Sequence, residues 1–142
     1  MGIKYTFEEY QKDIDILRHA ILKSGTRYDL IVGIQRGGLV PAVHLSNILD
    51  IPMASIQWSH KGIREEESPI LLNNRERNIL LIDDILDRGD TLYYIQKHYW
   101  KMDTAVLIYN FINQYSIVPN FCAQTINRND TPDWFDFWWE TV

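Results

Sequence analysis

Residues 79–91 read ILLIDDILDRGDT. Four apolar residues run directly into the carboxylates Asp83 and Asp84, and a third acid follows at Asp87. A tight Arg88-Gly89-Asp90-Thr91 turn then leads into a run, Thr91 to Trp100, whose apolar residues recur at helical spacing. A glycine turn that opens a helix favours a phosphate, because the first N–H groups of a helix have no partner of their own and carry its positive end. Acids at such a turn would repel a bare phosphate. They fit a phosphorylated sugar, whose hydroxyls donate to carboxylates while the N–H groups of the Gly89 turn and the Thr91 hydroxyl hold the terminal phosphate. Acids at a strand end are also compatible with capping the following turn or binding a divalent ion.

Working outward, the chain alternates strand, turn and helix. Phe7, Tyr10, Ile14, Leu17 and Ile21 mark an amphipathic helix over about 7–23, started by the Thr6/Glu9 capping box and ended at Gly25. Tyr28 to Ile34 reads as a short buried strand, since from Leu30 on its apolar residues are continuous rather than alternating, as in a strand buried on both faces. Gln35-Arg36-Gly37-Gly38 turns into a second helix reaching Leu49, and Met53 to Trp58 reads as the next strand. The charged stretch from Ser59 to Asn78 reads as a mobile loop or ragged hairpin. Strands over Asn78–Ile82 and Thr104–Phe111 flank the helix Thr91–Trp100. This alternation predicts an α/β fold, a mainly parallel sheet with flanking helices and ligands at the carboxyl ends of the strands. Both glycine turns then face one crevice. Neither has the GxxxxGK[ST] or GxGxxG spacing, which argues against a P-loop or a dinucleotide fold.

Bulk properties narrow the function classes. A chain of 142 residues suits one domain, and its single cysteine, Cys122, allows no internal disulfide, as expected of a cytoplasmic protein. No stretch approaches the roughly 18 apolar residues of a membrane span, so no membrane partner is expected. Net charge is −5 with the basic residues scattered, which disfavours nucleic acid as a partner. His19, His44, His60 and His98 show no ligand spacing. The terminal WFDFWWETV carries five aromatic residues, compatible with ring stacking or with packing on the core or across a dimer.

ILLIDDILDRGDT resembles the phosphoribosyl pyrophosphate signature of the type I phosphoribosyltransferases: four apolar residues, two acids, two variable positions and a turn closed by Gly-x-Thr. GIQRGGLVPA (33–42) resembles the family's pyrophosphate loop, and DWFDFWWE (133–140) resembles the tail of its bacterial and archaeal purine enzymes, those acting on xanthine, guanine and hypoxanthine. The resemblance implies the Rossmann-like fold of that family over residues 1–142, with a hood loop at about 59–78 and a base-binding tail at about 127–142. It implies transfer of ribose 5-phosphate from phosphoribosyl pyrophosphate to a nucleobase, a 6-oxopurine in purine salvage, with release of pyrophosphate, Mg²⁺ as cofactor and a homodimer or homotetramer as the assembly.

By the same resemblance, Arg36, Gly37 and Gly38 hold pyrophosphate. Asp83 and Asp84 orient the ribose hydroxyls and the metal, directly or through water. Asp87 is the general base, and Arg88, Gly89, Asp90 and Thr91 form the phosphate turn. Trp134 stacks on the base while the backbone at Phe135 reads its edge. Lys61 and Arg64 are candidate phosphate contacts in the hood. The chain departs from the family at Asn110, where a lysine that reads the base's exocyclic oxygen is expected, and at Arg88 and Asp90 in the turn, where Asp90 is expected to point outward. Taken alone, Arg36 also suits a surface ion pair and Asp87 a helix cap. Two rivals share parts of the pattern. A non-catalytic, nucleotide-sensing or RNA-binding regulator on the same fold would want a basic stripe, and a phosphorelay receiver would carry its acid pair after the first strand.

Overall fold

The computed structural model describes residues 2–59 and 61–140. Met1, His60, Thr141 and Val142 lie outside the described residues, and with them one of the four histidines and the end of the expected tail. Six strands form the main sheet: β2 (Leu30–Gln35), β3 (Met53–Ser59), β4 (Gly62–Ile63), β5 (Ile79–Leu86), β6 (Asp103–Asn110) and β7 (Phe121–Ile126). Their spatial order is β4-β3-β2-β5-β6-β7, every neighbouring pair being parallel except β3 with β4. Two short strands, β1 (Ile3–Tyr5) and β8 (Phe135–Phe137), pair in parallel as a separate ribbon that joins the two ends of the chain. The helices are α1 (Phe7–Lys23), α2 (Leu39–Leu49), α3 (Ser68–Leu72) and α4 (Asp90–His98).

Sequence explains each main element. Thr6 Oγ1 accepts the Glu9 N–H at 3.1 Å, capping α1, and Tyr10, Ile14, Leu17 and Ile21 make its buried stripe. Gly25, at φ +74°, ends the segment in a backbone region that glycine occupies without steric cost. Along the strands, Ile31, Leu80, Ile82, Ala105 and Leu107 pack with α1 and α2. The intervening Leu30, Val32, Ile34, Ile79, Leu81 and Val106 pack with Leu92 and Ile95 of α4 and Leu71 of α3. Both sheet faces are covered, so the strands are apolar at every position rather than at alternate ones. Each such side chain withdrawn from water contributes roughly 1.5–3 kcal/mol.

Several boundaries differ from expectation. β5 continues past Ile82 to Leu86, because β6 runs alongside and pairs with Asp83, Ile85 and Leu86; the acids therefore lie within a strand, where pairing overrides the weak strand preference of aspartate. α4 stops at His98, two residues before the expected Trp100, since Tyr99 leaves helical backbone. The segment expected as a loop or ragged hairpin carries the short β3–β4 hairpin, a 3₁₀ turn (Glu65–Glu67) and α3, seated by the buried Ile63 and Leu71. β1, β7 and β8 were not expected. Three residues are too few for a hydrophobic period to register, and β7 is only partly buried.

β2 leads to β3 on one side and lies beside β5 on the other. The carboxyl ends of β2 and β5 thus flank the point where the winding changes direction, which is where such sheets open a ligand crevice. Among the described residues, no helix is long and apolar enough to cross a membrane.

Candidate active site

The turn at 35–38 presses against the acids of β5. The Gln35–Arg36 peptide is cis. A Cβ on Gly37 would run into the Asp84 carboxylate, and one on Gly38 would sit 2.5 Å from the Ile82 carbonyl and 2.6 Å from that of Ile34. Only glycine lets the two strand ends approach so closely. Arg36, between β2 and these glycines, is exposed at the mouth. On the other side, Gly89 at φ +90° turns the chain into α4. The first N–H to be taken inside that helix is Tyr93's, which donates to the Gly89 carbonyl at 2.9 Å, so the amides before it are available to an anion.

Between the turns lie the paired acids. The Asp84 N–H donates to Asp83 Oδ1 at 2.9 Å, and the Ile85 N–H donates to Asp84 Oδ1 at 2.7 Å, leaving the second oxygen of each carboxylate outside these bonds. Burial, then the neighbouring Asp84 carboxylate, hold Asp83 well above the usual carboxylate range. Two adjacent acids, one of them disfavoured as an anion, suit a hard divalent cation that takes oxygen ligands and keeps water or phosphate in its remaining positions. Among the described residues no cluster of three or more His, Cys, Asp or Glu is arranged for a metal, so the remaining ligands of such an ion would come from substrate and water.

The acid within the second glycine turn, Asp90, is accounted for locally. Asp90 pairs with Arg88 Nε at 3.1 Å and accepts the Tyr115 hydroxyl at 3.0 Å, while Tyr115 stacks on Tyr93 at 4.1 Å. Its charge is thus opposed by the Arg88 of the same turn.

Asp87 is held by a residue that no local motif announces. Arg128 donates Nε to Asp87 Oδ1 and Nη2 to Asp87 Oδ2, both at 2.9 Å. Its Nη1 donates to the carbonyls of Thr131 (3.1 Å) and Asp133 (2.6 Å), and its guanidinium carbon lies 5.4 Å from the centre of the Phe135 ring. Asn110 differs from its expected part. It is 4% exposed, its Nδ2 donates to the Asp87 carbonyl at 2.9 Å, and its Oδ1 accepts the N–H groups of Arg128 (3.2 Å) and Ile112 (3.4 Å). An amide occupied in this way on backbone and turn is not turned to an incoming ring.

Trp134 is 70% exposed, and with Asp83, Asp87, Arg88, Gly89, Asp90 and Thr91 it borders a cavity of about 280 Å³. Trp58, at the end of β3, lines the same cavity and packs on Tyr94 at 5.1 Å; sequence reading did not single it out. Phe135 is buried as a side chain. The Ile3 N–H donates to the Trp134 carbonyl at 2.6 Å, so the ladder bonds are made by residues flanking Phe135, whose own N–H and C=O face away from β1. Gly62, at φ +97°, lets the β3–β4 hairpin sit on Tyr94, where a Cβ would lie 2.6 Å from the hydroxyl. A roomier hollow of about 520 Å³, bordered by Arg27, Asp29 and Asp50, lies at the opposite edge of the sheet, away from these groups.

Known proteins are similar to this chain in sequence and in fold. A xanthine-guanine phosphoribosyltransferase of Nitratidesulfovibrio vulgaris is 33% identical over 103 residues, which are 65% of this chain; the chain spans 59% of that relative's length. The crystal structure of a purine phosphoribosyltransferase from Pyrococcus horikoshii superposes with a TM-score of 0.73 at 25% identity, covering 99% of this chain and 95% of that one. A Helicobacter pylori xanthine-guanine-hypoxanthine phosphoribosyltransferase shares the fold at 21% identity, with a TM-score of 0.78 over 99% of this chain and 95% of its own. With residues 7–141 matching the phosphoribosyl transferase domain, glycine turns and acid-bearing strand included, the chain belongs to that family.

Proposed function

We propose that this protein transfers ribose 5-phosphate from phosphoribosyl pyrophosphate to a ring nitrogen of a 6-oxopurine, releasing pyrophosphate, as in purine salvage. The observation that carries the reading is the pair of glycine turns on one sheet edge with Asp83 and Asp84 between them, which suits a ligand with a phosphate at each end and hydroxyls in the middle. The names of the similar purine phosphoribosyltransferases support the same substrate class.

In this mechanism Arg36 and the backbone amides of Gly37 and Gly38 hold the pyrophosphate arm. The amides of the Gly89 turn and the Thr91 hydroxyl hold the 5′-phosphate at the start of α4. Asp83 and Asp84 accept from the ribose hydroxyls and would hold Mg²⁺ on the oxygens not taken by the Asp84 and Ile85 N–H groups. When bound, Mg²⁺ neutralises the negative charge that builds on the departing pyrophosphate. The bond between C1 and the pyrophosphate oxygen breaks, its electron pair leaves with pyrophosphate, and the base nitrogen forms the new bond to an oxocarbenium-like C1. The proton of the base N–H passes to an oxygen of Asp87. Trp134 stacks on the ring and the Phe135 backbone reads its edge, with Asn110 acting on the base through Asp87 and Arg128. The hood at 59–78 shields C1 from water. The assembly would be a homodimer or homotetramer, working in the cytoplasm.

The test is pyrophosphate release with phosphoribosyl pyrophosphate, Mg²⁺ and a panel of nucleobases. Stoichiometric release and nucleoside monophosphate are expected with guanine, hypoxanthine or xanthine. Turnover of orotate or uracil with no purine accepted would overturn the base assignment. Release with no base at all would overturn the reading altogether.

A further inference from the structure

We propose that Arg128 is a positioning residue that ties the base-recognition turn to the proton-accepting carboxylate, so that seating the turn over the base and orienting Asp87 become one event. The proposal rests on the phosphoribosyl-transfer reading above. A guanidinium presents five N–H donors in a fixed plane. Four of them are committed here: two to the oxygens of Asp87, two to the carbonyls of Thr131 and Asp133. The acceptors thus come from opposite walls of the crevice. One is the strand–turn–helix segment that carries the phosphate site; the other is the turn that delivers Trp134. Because the donor plane is rigid, moving one wall rotates the other.

Asn110 closes the unit. Its Nδ2 fixes the Asp87 carbonyl and its Oδ1 fixes the Arg128 main-chain N–H, so the main chains of both partners are tied to the end of β6 while their side chains hold each other. The Phe135 ring beneath the guanidinium sets the remaining direction. An ionised carboxylate offers about four acceptor sites, and the fork occupies two, leaving two to receive a base N–H. Arg128 and Asp87 side chains are 18% and 33% exposed, so water competes only partly for the pair. A lysine reading the base directly would be a separate contact. Here the cation works one step back, on the residue that meets the base.

The experiment compares Arg128→Gln and Arg128→Lys, each alone and combined with Asp87→Asn, by steady-state kinetics with hypoxanthine and guanine. Hydrogen exchange of the 127–140 peptide is followed in the same proteins. Arg128→Gln should lower kcat about 10- to 100-fold, the scale of a misaligned reacting group, and raise KM for the base about tenfold, with KM for phosphoribosyl pyrophosphate within about twofold. Arg128→Lys should recover part of the base KM but little of kcat, since a point charge cannot set the carboxylate plane. In the Asp87→Asn background, Arg128→Gln should cost no further kcat while still raising base KM. Peptide 127–140 should exchange faster in Arg128→Gln and to an intermediate degree in Arg128→Lys. An equal fractional loss of kcat in both backgrounds, or an unchanged base KM, would overturn the proposal. If the unsubstituted protein turns over no nucleobase of the panel above, the phosphoribosyl-transfer reading fails separately. Arg128 is then judged by exchange alone: unchanged protection of 127–140 in both Arg128→Gln and Asp87→Asn would dismiss the coupling, and faster exchange in both would uphold it.

Discussion

The two ends of the crevice are built differently. At the end proposed for the phosphates, each glycine turn is a single stretch of chain in which strand, glycine and helix follow one another, and the close approach of Gly37 and Gly38 to β5 leaves little freedom in how the parts meet. At the end proposed for the base, the pieces come from far apart. Asp87 is met by Arg128, 41 residues on; Asn110 braces both; and Trp134 hangs from a ribbon pairing the third residue of the chain with the 135th. A contiguous turn fixes its geometry through backbone and helix end. An assembled site depends on each long-range bond that holds it, so single substitutions should act locally at the first end and spread at the second.

Asp87 stands at the seam and should give the largest effect. Asp87→Asn is expected to lower turnover about 10²- to 10⁴-fold, the range for loss of a general base, with little change in phosphoribosyl pyrophosphate affinity. Rapid-quench turnover and direct binding of phosphoribosyl pyrophosphate separate the two quantities. Unchanged turnover across the accessible pH range would remove Asp87 from the chemistry and leave it to Arg128 as a purely structural partner.

Gly37→Ala should come next, and only at the phosphate end. The added methyl must displace the Asp84 carboxylate, so pyrophosphate and phosphoribosyl pyrophosphate binding are expected to weaken about 10- to 100-fold. A nucleoside monophosphate, which has no pyrophosphate arm but keeps the ribose hydroxyls that meet Asp84, should lose about tenfold less than phosphoribosyl pyrophosphate does. Titration calorimetry with the three ligands decides. Equal losses for all three would show that the two ends are not independent.

This difference in construction also governs what the sequence makes legible. The helix stripe of α1, the buried β2, β5 and β6, and both glycine turns are written in adjacent residues, and their physical reasons are local: periodicity, positive φ, capping. Arg128 is not legible, because nothing in INRNDTPDW distinguishes a structural arginine from a solvated one until β7 brings it to Asp87. Asn110 could be located but not interpreted. Its position followed from the strand, whereas its bonds to Asp87 and Arg128 depend on two other segments. β1 and β8 are three residues each and exist through each other.

Trp134→Ala tests the base end alone. Stacking of a base on an aromatic ring is worth about 1–3 kcal/mol, so KM for each 6-oxopurine should rise roughly tenfold, with phosphoribosyl pyrophosphate unaffected. A rise confined to one purine would mean that the indole reads an edge instead of supplying a platform, and Trp58, which lines the same cavity, would be the next ring to remove.

The smallest effect is expected farthest from the chemistry, at Asp13. This residue of α1 is 4% exposed, and its Oδ2 accepts both the Tyr5 hydroxyl of β1 at 2.5 Å and Gln124 Nε2 of β7 at 2.7 Å; Gln124 Nε2 also donates to Glu9 at 2.7 Å. Through Tyr5 it steadies the ribbon that carries Trp134. Burial raises the Asp13 carboxyl above its ordinary range, against the hydrogen bonds from Tyr5 and Gln124 that lower it. The folded chain therefore binds this proton more tightly than the unfolded one does. Its contribution is most favourable below the ordinary carboxylate pKa of about 3.9, declines as pH rises toward the raised folded value, and at neutral pH stands as a cost. Asp13→Asn keeps an oxygen able to accept both bonds and removes the charge. At neutral pH the variant should match or exceed the original within about 1 kcal/mol, and its advantage should shrink as pH falls toward 4. Asp13→Ala, which strands the Tyr5 hydroxyl, should lose about 1–3 kcal/mol. Urea titrations from pH 4 to 8 distinguish these outcomes. A large loss in Asp13→Asn at neutral pH would mean that the charge itself holds the ribbon, and would carry the long-range stitching of the base end all the way to α1.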